Sequence, residues 1–235
     1  LDCEEISALR VKGFAEPVRS WRLYGLRAAA PERPLVGRRR ELEQLRTIVA
    51  ACRDTGQGET IHVRGDAGIG KTRLVEELRK LAREAGFACH TGLILDFGTG
   101  IGRDAIRSLL RSLLGLDLAA GADLAATAAA AALADGLVAP DDAVFLNDLL
   151  DLPQSTEDRA LFEAMDDARR STGKRRVLAG LVERVSRRQP LLLVVEDLHW
   201  AEAPVLTYLA RLTTTVATCR ALLVLTSRIE GDPLD

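Results

Sequence analysis

The sequence predicts an α/β fold built on a parallel β-sheet, and three observations support this prediction. Short apolar runs alternate with amphipathic stretches along most of the 235 residues, which is typical of strands joined by crossover helices. The runs 191–195 and 221–225 are entirely aliphatic, as expected for strands that are buried on both faces. A glycine-rich segment, residues 65–70, stands between a strand-like run and an amphipathic stretch, where α/β sheets commonly bind ligands.

The elements before residue 96 are predicted from periodicity. Residues 39–53 and 71–84 carry apolar side chains three and four positions apart, which predicts two amphipathic helices. Gly86 is expected to cap the second helix, because glycine adopts the left-handed conformation that follows many helices. Residues 60–64 and 87–95 are predicted to form the first two strands of the sheet.

The middle of the chain, residues 96–188, is predicted to be a mainly helical insertion. Its predicted helices are 106–114, an alanine-rich surface helix at 119–134, 144–152, 159–167 and 174–188. The remaining predicted elements are the third strand at 191–195, a helix at 203–212 and the fourth strand at 221–226. Helices are therefore expected on both faces of the sheet.

The first 34 residues differ from the rest. Residues 18–23 roughly alternate between apolar and polar, which predicts a strand after a turn marked by Gly13 and Pro17. Residues 28–34 contain two prolines and are expected to be a linker, so the main domain is expected to span 35–235. Since the chain begins with leucine, we expect it to be a piece of a longer protein.

Composition argues against several functional classes. The chain has 32 basic and 34 acidic residues and a net charge of −2, which argues against a dedicated nucleic-acid or anionic-membrane surface. It has no apolar stretch of 18 residues and no hydrophobic signal region, so a cytoplasmic location is expected. Four widely separated cysteines without a CxxC pair predict reduced thiols, with neither a zinc site nor a disulfide framework. They are Cys3, Cys52, Cys89 and Cys219.

Residues 65–72 match the phosphate-binding motif GxxxxGK[ST] in full, between a predicted strand and a predicted helix. The glycines allow successive backbone N–H groups to point into one concavity, and the helix N-terminus adds partial positive charge. Lys71 is the expected point charge for the β- and γ-phosphates, and the Thr72 hydroxyl is the expected Mg²⁺ ligand. The predicted phosphate-binding residues are Gly65, Asp66, Ala67, Gly68, Ile69, Gly70, Lys71 and Thr72.

Two acidic residues, Glu196 and Asp197, end the apolar run 191–195. A buried parallel strand delivers such carboxylates to the edge of the sheet where the phosphate loop also lies. This arrangement resembles the Walker B element. By position, Glu196 is the Mg²⁺-side acid, acting through water, and Asp197 is the candidate to polarise the attacking water. Aspartate is more usual at the first position, so Glu196 departs from the pattern.

The residues after the third and fourth strands leave alternatives open. His199 is either a substrate contact or a packed structural histidine, and the second interpretation is favoured. Trp200 is expected in the core or packed at the start of a helix. Thr226 or Ser227 is a candidate sensor of the γ-phosphate and Arg228 a candidate catalytic charge, with an ordinary solvated loop as the alternative.

The segment before the first helix is a candidate part of the adenine pocket, through backbone and apolar contacts of Val36, Gly37 and Arg38. The three consecutive arginines 38–40 suggest a nucleic-acid patch. Because Glu41 and Glu43 stand beside them, a solvated helix start is the favoured interpretation.

Taken in order, these motifs resemble the STAND branch of AAA-related ATPases, which occurs in bacterial multidomain regulators. The resemblance covers residue 34 to the end, and the matching segments are 35–38, 65–72, 194–202 with its sequence EDLHWAE, and 226–228. It implies a P-loop NTPase sheet of strand order 1-4-3-2 with strand 5 missing, ATP and Mg²⁺ as cofactors, downstream sensor domains and nucleotide-dependent self-association.

Residues 1–27 resemble something else. Val11-Lys12-Gly13, Pro17-Val18 and Trp21 look like the last strands of a class III adenylate/guanylate cyclase domain. The resemblance implies an upstream cyclase whose catalytic residues lie outside this chain.

Together, these features predict an ATP-binding, slowly hydrolysing signalling module that regulates an attached nucleotide cyclase. The alternatives are a nucleotide-gated scaffold or a LuxR-like transcriptional regulator module without significant catalysis. Direct nucleic-acid binding and membrane association are not expected of this segment.

Overall fold

The computed structural model describes residues 2–9, 16, 18–25, 37–94, 103–117 and 119–234. The chain divides into two units, Leu1–Gly37 and Arg38–Asp235. The first unit contains two antiparallel strands, β1 (Asp2–Leu9) and β2 (Val18–Gly25). The predicted strand at 18–23 is therefore present, whereas Gly13 and Pro17 lie outside the described residues.

A parallel four-stranded sheet forms the centre of the second unit. Its strands are β3 (Thr60–Arg64), β4 (Ala88–Leu93), β5 (Leu191–Glu196) and β6 (Ala221–Ser227), in the order β3-β6-β5-β4. This is the predicted order 1-4-3-2, so the predicted α/β fold class is confirmed. The two middle strands, β5 and β6, are buried on both faces, and each such Leu or Val contributes about 1.5–3 kcal/mol.

Helices cover both faces of this sheet. Alternate residues of β5, beginning with Leu191, belong to the core shared with the helical layer of α3 (Arg103–Leu113) and α8 (Ala203–Val216). The intervening residues point to the opposite face, where α1 (Arg39–Thr55) packs on α2 (Lys71–Glu84).

Four further helices complete the helical layer, and their bounds differ from the predicted ones. They are α4 (Ala122–Ala134), α5 (Ala143–Leu149), α6 (Thr156–Glu163) and α7 (Asp167–Arg188). The prediction placed the start of α7 at residue 174, which is wrong by seven residues. The Asp166 carboxylate accepts a hydrogen bond from Arg169 N–H at 2.7 Å, and this N-cap begins the helix earlier.

The alanine-rich helix α4 is also more buried than predicted. Its residues Ala125, Ala129 and Ala132 are at most 3% exposed and belong to the core. Spacings of four and three put them on one helical face, so α4 packs by small side chains instead of lying wholly on the surface.

The edge where the parallel strands begin, here called the amino edge, is closed by backbone contacts. Gly58 N–H donates to Val216 O at 3.2 Å, just ahead of β3. Cys52 and Cys219 are buried at this edge as free thiols, like the half-buried Cys89. Burial, together with the nearby Cys219 and Glu59, raises the pKa of the Cys52 thiol to about 11.

Among the described helices, none has the length and apolar character that crossing a membrane requires.

Candidate nucleotide-binding site

The phosphate loop connects β3 to α2 at the edge where the parallel strands end, here called the carboxyl edge. Gly68 and Gly70 have φ angles of +77° and +93°, a left-handed conformation that glycine adopts without the strain of a side chain. No atom lies within 4 Å of a Cβ placed at either position. The loop is tied to the neighbouring strand because Gly65 N–H donates to Ser227 O at 3.3 Å.

Lys71 and Thr72 occupy the first turn of α2, beside this loop. The Lys71 ammonium donates to Gly65 O at 2.7 Å and to Asp66 O at 3.0 Å, so its charge is held against the loop backbone. Thr72 is exposed. The first N–H groups of a helix have no partner within the helix. In α2 these N–H groups lie next to the Lys71 ammonium, because Lys71 is the first residue of the helix.

Arg38 contacts the phosphate loop through its side chain. Its guanidinium Nη2 donates to Ile69 O at 2.8 Å, whereas the sequence suggested backbone and apolar contacts. Val36, from the same predicted pocket, lies outside the described residues. Gly37 belongs to the first unit. The side chains of Arg39 and Arg40 are exposed, as expected for a solvated start of α1.

Glu196, the last residue of β5, forms an ion pair with α2. Arg79 Nη2 donates to Glu196 Oε1 at 2.9 Å and to Thr91 Oγ1 at 3.2 Å. The Arg79 and Glu196 side chains are only 18% and 19% exposed. The sequence analysis missed Arg79, although it interrupts the buried face of α2 between Val75 and Ala82, where a charge needs a partner.

Asp197 differs from its neighbour in conformation and exposure. Its φ of +60° lies in the left-handed region, and its side chain is 56% exposed. The Asp197 N–H donates to Thr226 Oγ1 at 3.0 Å, which fixes the turn at the end of β5. Such strain in a residue other than glycine costs about 1–3 kcal/mol and is common at functional sites.

The chain is similar in sequence to a known protein family and to a bacterial protein. Residues 34–225 match a family model described as an AAA ATPase domain. The chain belongs to this AAA ATPase domain family. It is also 30% identical over 232 residues to an uncharacterized protein of Rhizobium meliloti (strain 1021). That match covers 93% of the chain and 22% of the relative, so the chain spans about a fifth of the relative's length.

The residues that follow β5 and β6 in the AAA ATPase domain have distinct surroundings. The His199 side chain is only 6% exposed and lies against the Trp200 ring at 5.0 Å, which supports the structural interpretation of this histidine. Trp200 is 44% exposed, so the first of its two predicted positions, in the core, is wrong. It stands just before α8, in agreement with the second, packing at the start of a helix. Arg228 lies over the Trp200 ring at 5.9 Å and is exposed, which provides a cation–π contact.

A polar cluster at the ends of β3 and β6 was missed by the sequence analysis. The Asp232 side chain is 1% exposed and accepts from Ser227 Oγ and Arg64 Nε, both at 3.0 Å. His62 Nε2 lies 2.8 Å from Ser227 Oγ. Burial would raise the Asp232 pKa, but hydrogen bonds from Leu234 N–H and Ser227 and the charges of His62 and Arg64 lower it below its ordinary value.

The residues of this AAA ATPase domain fit a magnesium nucleotide. The left-handed glycines leave open space where side chains would stand, and one ammonium is held on the loop backbone. Thr72 and the acids at the end of β5 offer the oxygen ligands that Mg²⁺ prefers. Thr72 and Glu196 would hold the ion, and the loop with Lys71 would hold the phosphates.

Proposed function

We propose that this AAA ATPase domain binds ATP with Mg²⁺ and hydrolyses it slowly. The observation that carries the proposal is the complete phosphate loop at the carboxyl edge of the sheet, tied to β6 through Gly65 and Ser227. Two carboxylates end the strand next to β6 at the same edge. Phosphoryl transfer to water requires hydrogen-bond donors that bind the phosphates and carboxylates that hold the metal ion and orient the water. The phosphate loop and the two acids offer both kinds of group at one edge.

Each residue has a defined role in this proposal. The loop of residues 65–72 binds the phosphates through backbone N–H groups other than that of Gly65, which donates to Ser227 O. The Lys71 ammonium also binds the phosphates, which replace the loop carbonyls as its partners. Thr72 and, through water, Glu196 hold Mg²⁺, while Arg79 keeps the Glu196 carboxylate at the end of β5. Asp197 polarises the attacking water, and its exposure leaves the carboxylate accessible for this role.

We also propose that Arg228 supplies a catalytic charge and that Thr226 senses the γ-phosphate. Arg228 is exposed at the end of β6, where its charge can approach a phosphate. Thr226 is 2% exposed and accepts from Asp197 N–H. A change in the backbone conformation of Asp197 on nucleotide binding would therefore alter its hydrogen bond to Thr226 in β6.

For the longer protein, we propose a nucleotide-gated signalling role in the cytoplasm, where ATP is found. Residues 1–27 resemble the end of a class III nucleotide cyclase, so the upstream partner in this proposal is a cyclase and the downstream partner is a sensor domain. Ile69, Trp200 and Ile229 are 44–51% exposed beside the ends of the strands. These apolar side chains support nucleotide-dependent self-association of the module.

Equilibrium binding of ATP and ADP with Mg²⁺ tests the phosphate loop. Lys71→Ala removes a charged donor, so the affinity for ATP should fall by about tenfold to a hundredfold. Lys80→Ala, which removes the same charge about two and a half turns further along α2, should bind ATP as the wild-type chain does. Equal affinities for wild type and Lys71→Ala would overturn the proposal.

The hydrolytic role of Asp197 is tested separately by steady-state phosphate release. Asp197→Asn keeps the shape of the side chain but loses its charge, so turnover should fall by about 100-fold while the Kd for ATP stays within about threefold. Unchanged turnover would assign the hydrolytic role to another group. If ATP and ADP also give the same oligomeric state, nucleotide gating is rejected, because a ligand shifts only states that it binds differently.

A further inference from the structure

A second cavity lies in the helical layer, apart from the phosphate loop. Its volume is about 550 Å³, within the usual range of about 300–1,000 Å³ for small-molecule sites. Its walls come from the first turns of α3, α7 and α8 and from α5 and α6. Because α8 follows β5 directly and α7 leads back to the start of β5, these first turns lie on the carboxyl side of the sheet.

Three cationic side chains line this cavity: Arg107, Arg170 and Lys174. Arg170 and Lys174 are one helical turn apart on α7, a spacing at which like charges repel. Both also lie over the Phe162 ring, at 5.5 Å and 5.4 Å from its centroid. The positive charge is therefore concentrated around one aromatic ring.

The acidic partners of these cations neutralise them unequally. Lys174 pairs with Asp148, and the two side chains are 14% and 26% exposed. Arg170 pairs with Asp167, which is 99% exposed, and Arg107 pairs with Asp151, which is 64% exposed. Exposed pairs are weak because water screens them, so the two arginines keep most of their capacity to attract an anion.

The guanidinium of Arg170 is only partly accessible. Its Nε is shielded from solvent and has no hydrogen-bond partner among the described residues, so an atom in the cavity does not reach it. An anionic group would contact the part of the Arg170 side chain that stays accessible, which is 31% of it. The remaining wall includes the carboxylates of Asp148 and Asp167, which are the partners of Lys174 and Arg170, and the hydroxyl of Ser171. Its apolar and aromatic part is formed by Ile106, Leu149, Pro204, Val205 and Tyr208.

We propose that this cavity is a binding site for a small organic anion, meaning one carboxylate, sulfonate or phosphate group on an apolar or aromatic body. Arg170 and Arg107 bind the anionic group, and Phe162, Val205 and Tyr208 contact the body. Because Val205 and Tyr208 belong to the helix that follows Asp197, an occupant contacts the element next to the candidate hydrolytic residue. The site is distinct from the phosphate loop and does not depend on ATP hydrolysis.

Ligand binding with defined probes tests the proposal on the whole chain. The probes are 1-anilinonaphthalene-8-sulfonate, followed by fluorescence, and benzoate as its competitor. Benzyl alcohol supplies an aromatic body without charge, and inorganic phosphate supplies charge without an apolar body. We expect the sulfonate to bind and benzoate to displace it, with both control compounds at least about tenfold weaker.

Variants locate the probe. Arg170→Met should weaken sulfonate binding by about tenfold or more, and Ser171→Trp should abolish it by filling the cavity. Arg175→Met removes a charge from the same helix outside the cavity and should bind the probe normally. Circular dichroism and the unfolding midpoint check the fold of each variant, and Arg170→Met remains decisive if Ser171→Trp does not fold.

Binding in the Lys71→Ala background separates this proposal from the nucleotide site. Unchanged sulfonate binding there, with ATP binding lost, supports a second site. Loss of sulfonate binding in Lys71→Ala, equal binding of benzyl alcohol and benzoate, or unchanged affinity in Arg170→Met would each overturn the proposal.

Discussion

The two edges of one sheet are built in different ways. At the amino edge the backbone is packed against backbone. Gly58 N–H donates to Val216 O, and Leu191 N–H donates to Arg220 O at 2.9 Å. The thiols at this edge are buried, and the pKa of Cys52 is raised to about 11 by burial, which keeps this thiol protonated and unreactive near neutral pH.

The carboxyl edge is open, and one of its residues is strained. Asp197 is a left-handed residue other than glycine, and the Lys71 ammonium is held by backbone carbonyls instead of a carboxylate. Asp197 is more than half exposed. The two edges of this parallel sheet therefore serve different purposes. The amino edge contributes stability, and the carboxyl edge keeps charged groups accessible to a ligand.

The largest expected loss of stability comes from adding a side chain at Gly58, in the tightly packed backbone of the amino edge. A Cβ at Gly58 would lie 1.7 Å from Ala221 O and 2.7 Å from Val216 O, backbone atoms that cannot move without disturbing the start of β6 and the end of α8. Gly58→Ala should therefore lower the free energy of unfolding by about 3 kcal/mol or more, measured by urea denaturation.

Gly180→Ala is the matched control for that variant. Its Cβ meets only the movable tip of Arg184 at 2.8 Å, and alanine gains helix propensity in the middle of α7. Its unfolding free energy should change by less than about 1 kcal/mol. If the two variants were equally stable, the amino edge would not be the tightly packed one.

The next largest effect is the loss of stability when the ion pair between Arg79 and Glu196 is broken. At the carboxyl edge Glu196 is paired in this way, whereas Asp197 is exposed. Removing one member of a fully buried ion pair costs about 3–5 kcal/mol. With 18% and 19% of these side chains exposed, Arg79→Met should cost about 2 kcal/mol. The double variant with Glu196→Gln should recover part of this loss in a double-mutant cycle.

Arg83→Met provides the reference for the same loss of charge on α2. Arg83 is exposed, so we expect a change within about 0.5 kcal/mol. If Arg83→Met were as damaging as Arg79→Met, the stability effect would reflect helix charge and not the contact with Glu196.

The smallest effect is a pH dependence at the carboxyl edge. The pKa of Asp232 is lower in the folded chain than its ordinary value of 3.8, so the folded state binds fewer protons at this residue. Its stabilising contribution is fully present above the ordinary pKa and is lost as the pH falls through the lowered, folded-state pKa.

Urea unfolding between pH 6 and pH 3 measures this contribution. The stability difference between wild type and Asp232→Asn should shrink as the pH falls, by less than the cost of Arg79→Met. Asp117→Asn, at an exposed acid, should not show this trend. A constant difference for Asp232→Asn across the range would contradict the lowered pKa.

The strands and the phosphate loop could be predicted because their signals are local. A fully aliphatic run such as 191–195 needs burial on both faces, and the motif of residues 65–72 carries its own conformational requirements. The start of α7 could not be predicted in the same way. Its first two turns are polar and line the cavity in the helical layer, so they carry no apolar period until residue 177.

Partners that are far apart in the chain were also beyond prediction. Arg79 and Glu196 are 117 positions apart, and His62 and Ser227 are 165 positions apart. A charged residue on a buried helix face indicates that a partner exists, but it does not identify which acid the parallel sheet brings to it.

The α/β class, the strands and the phosphate-loop motif follow from the sequence, because glycine conformations, aliphatic runs and a lysine at a helix start are properties of short segments. The order of the strands was expected only from the resemblance to AAA-related ATPases. The tertiary structure alone establishes that Glu196 is ion-paired while Asp197 is exposed, and that Arg170 and Lys174 both lie over one aromatic ring. Those properties depend on burial and on the distances between side chains, and folding alone determines both.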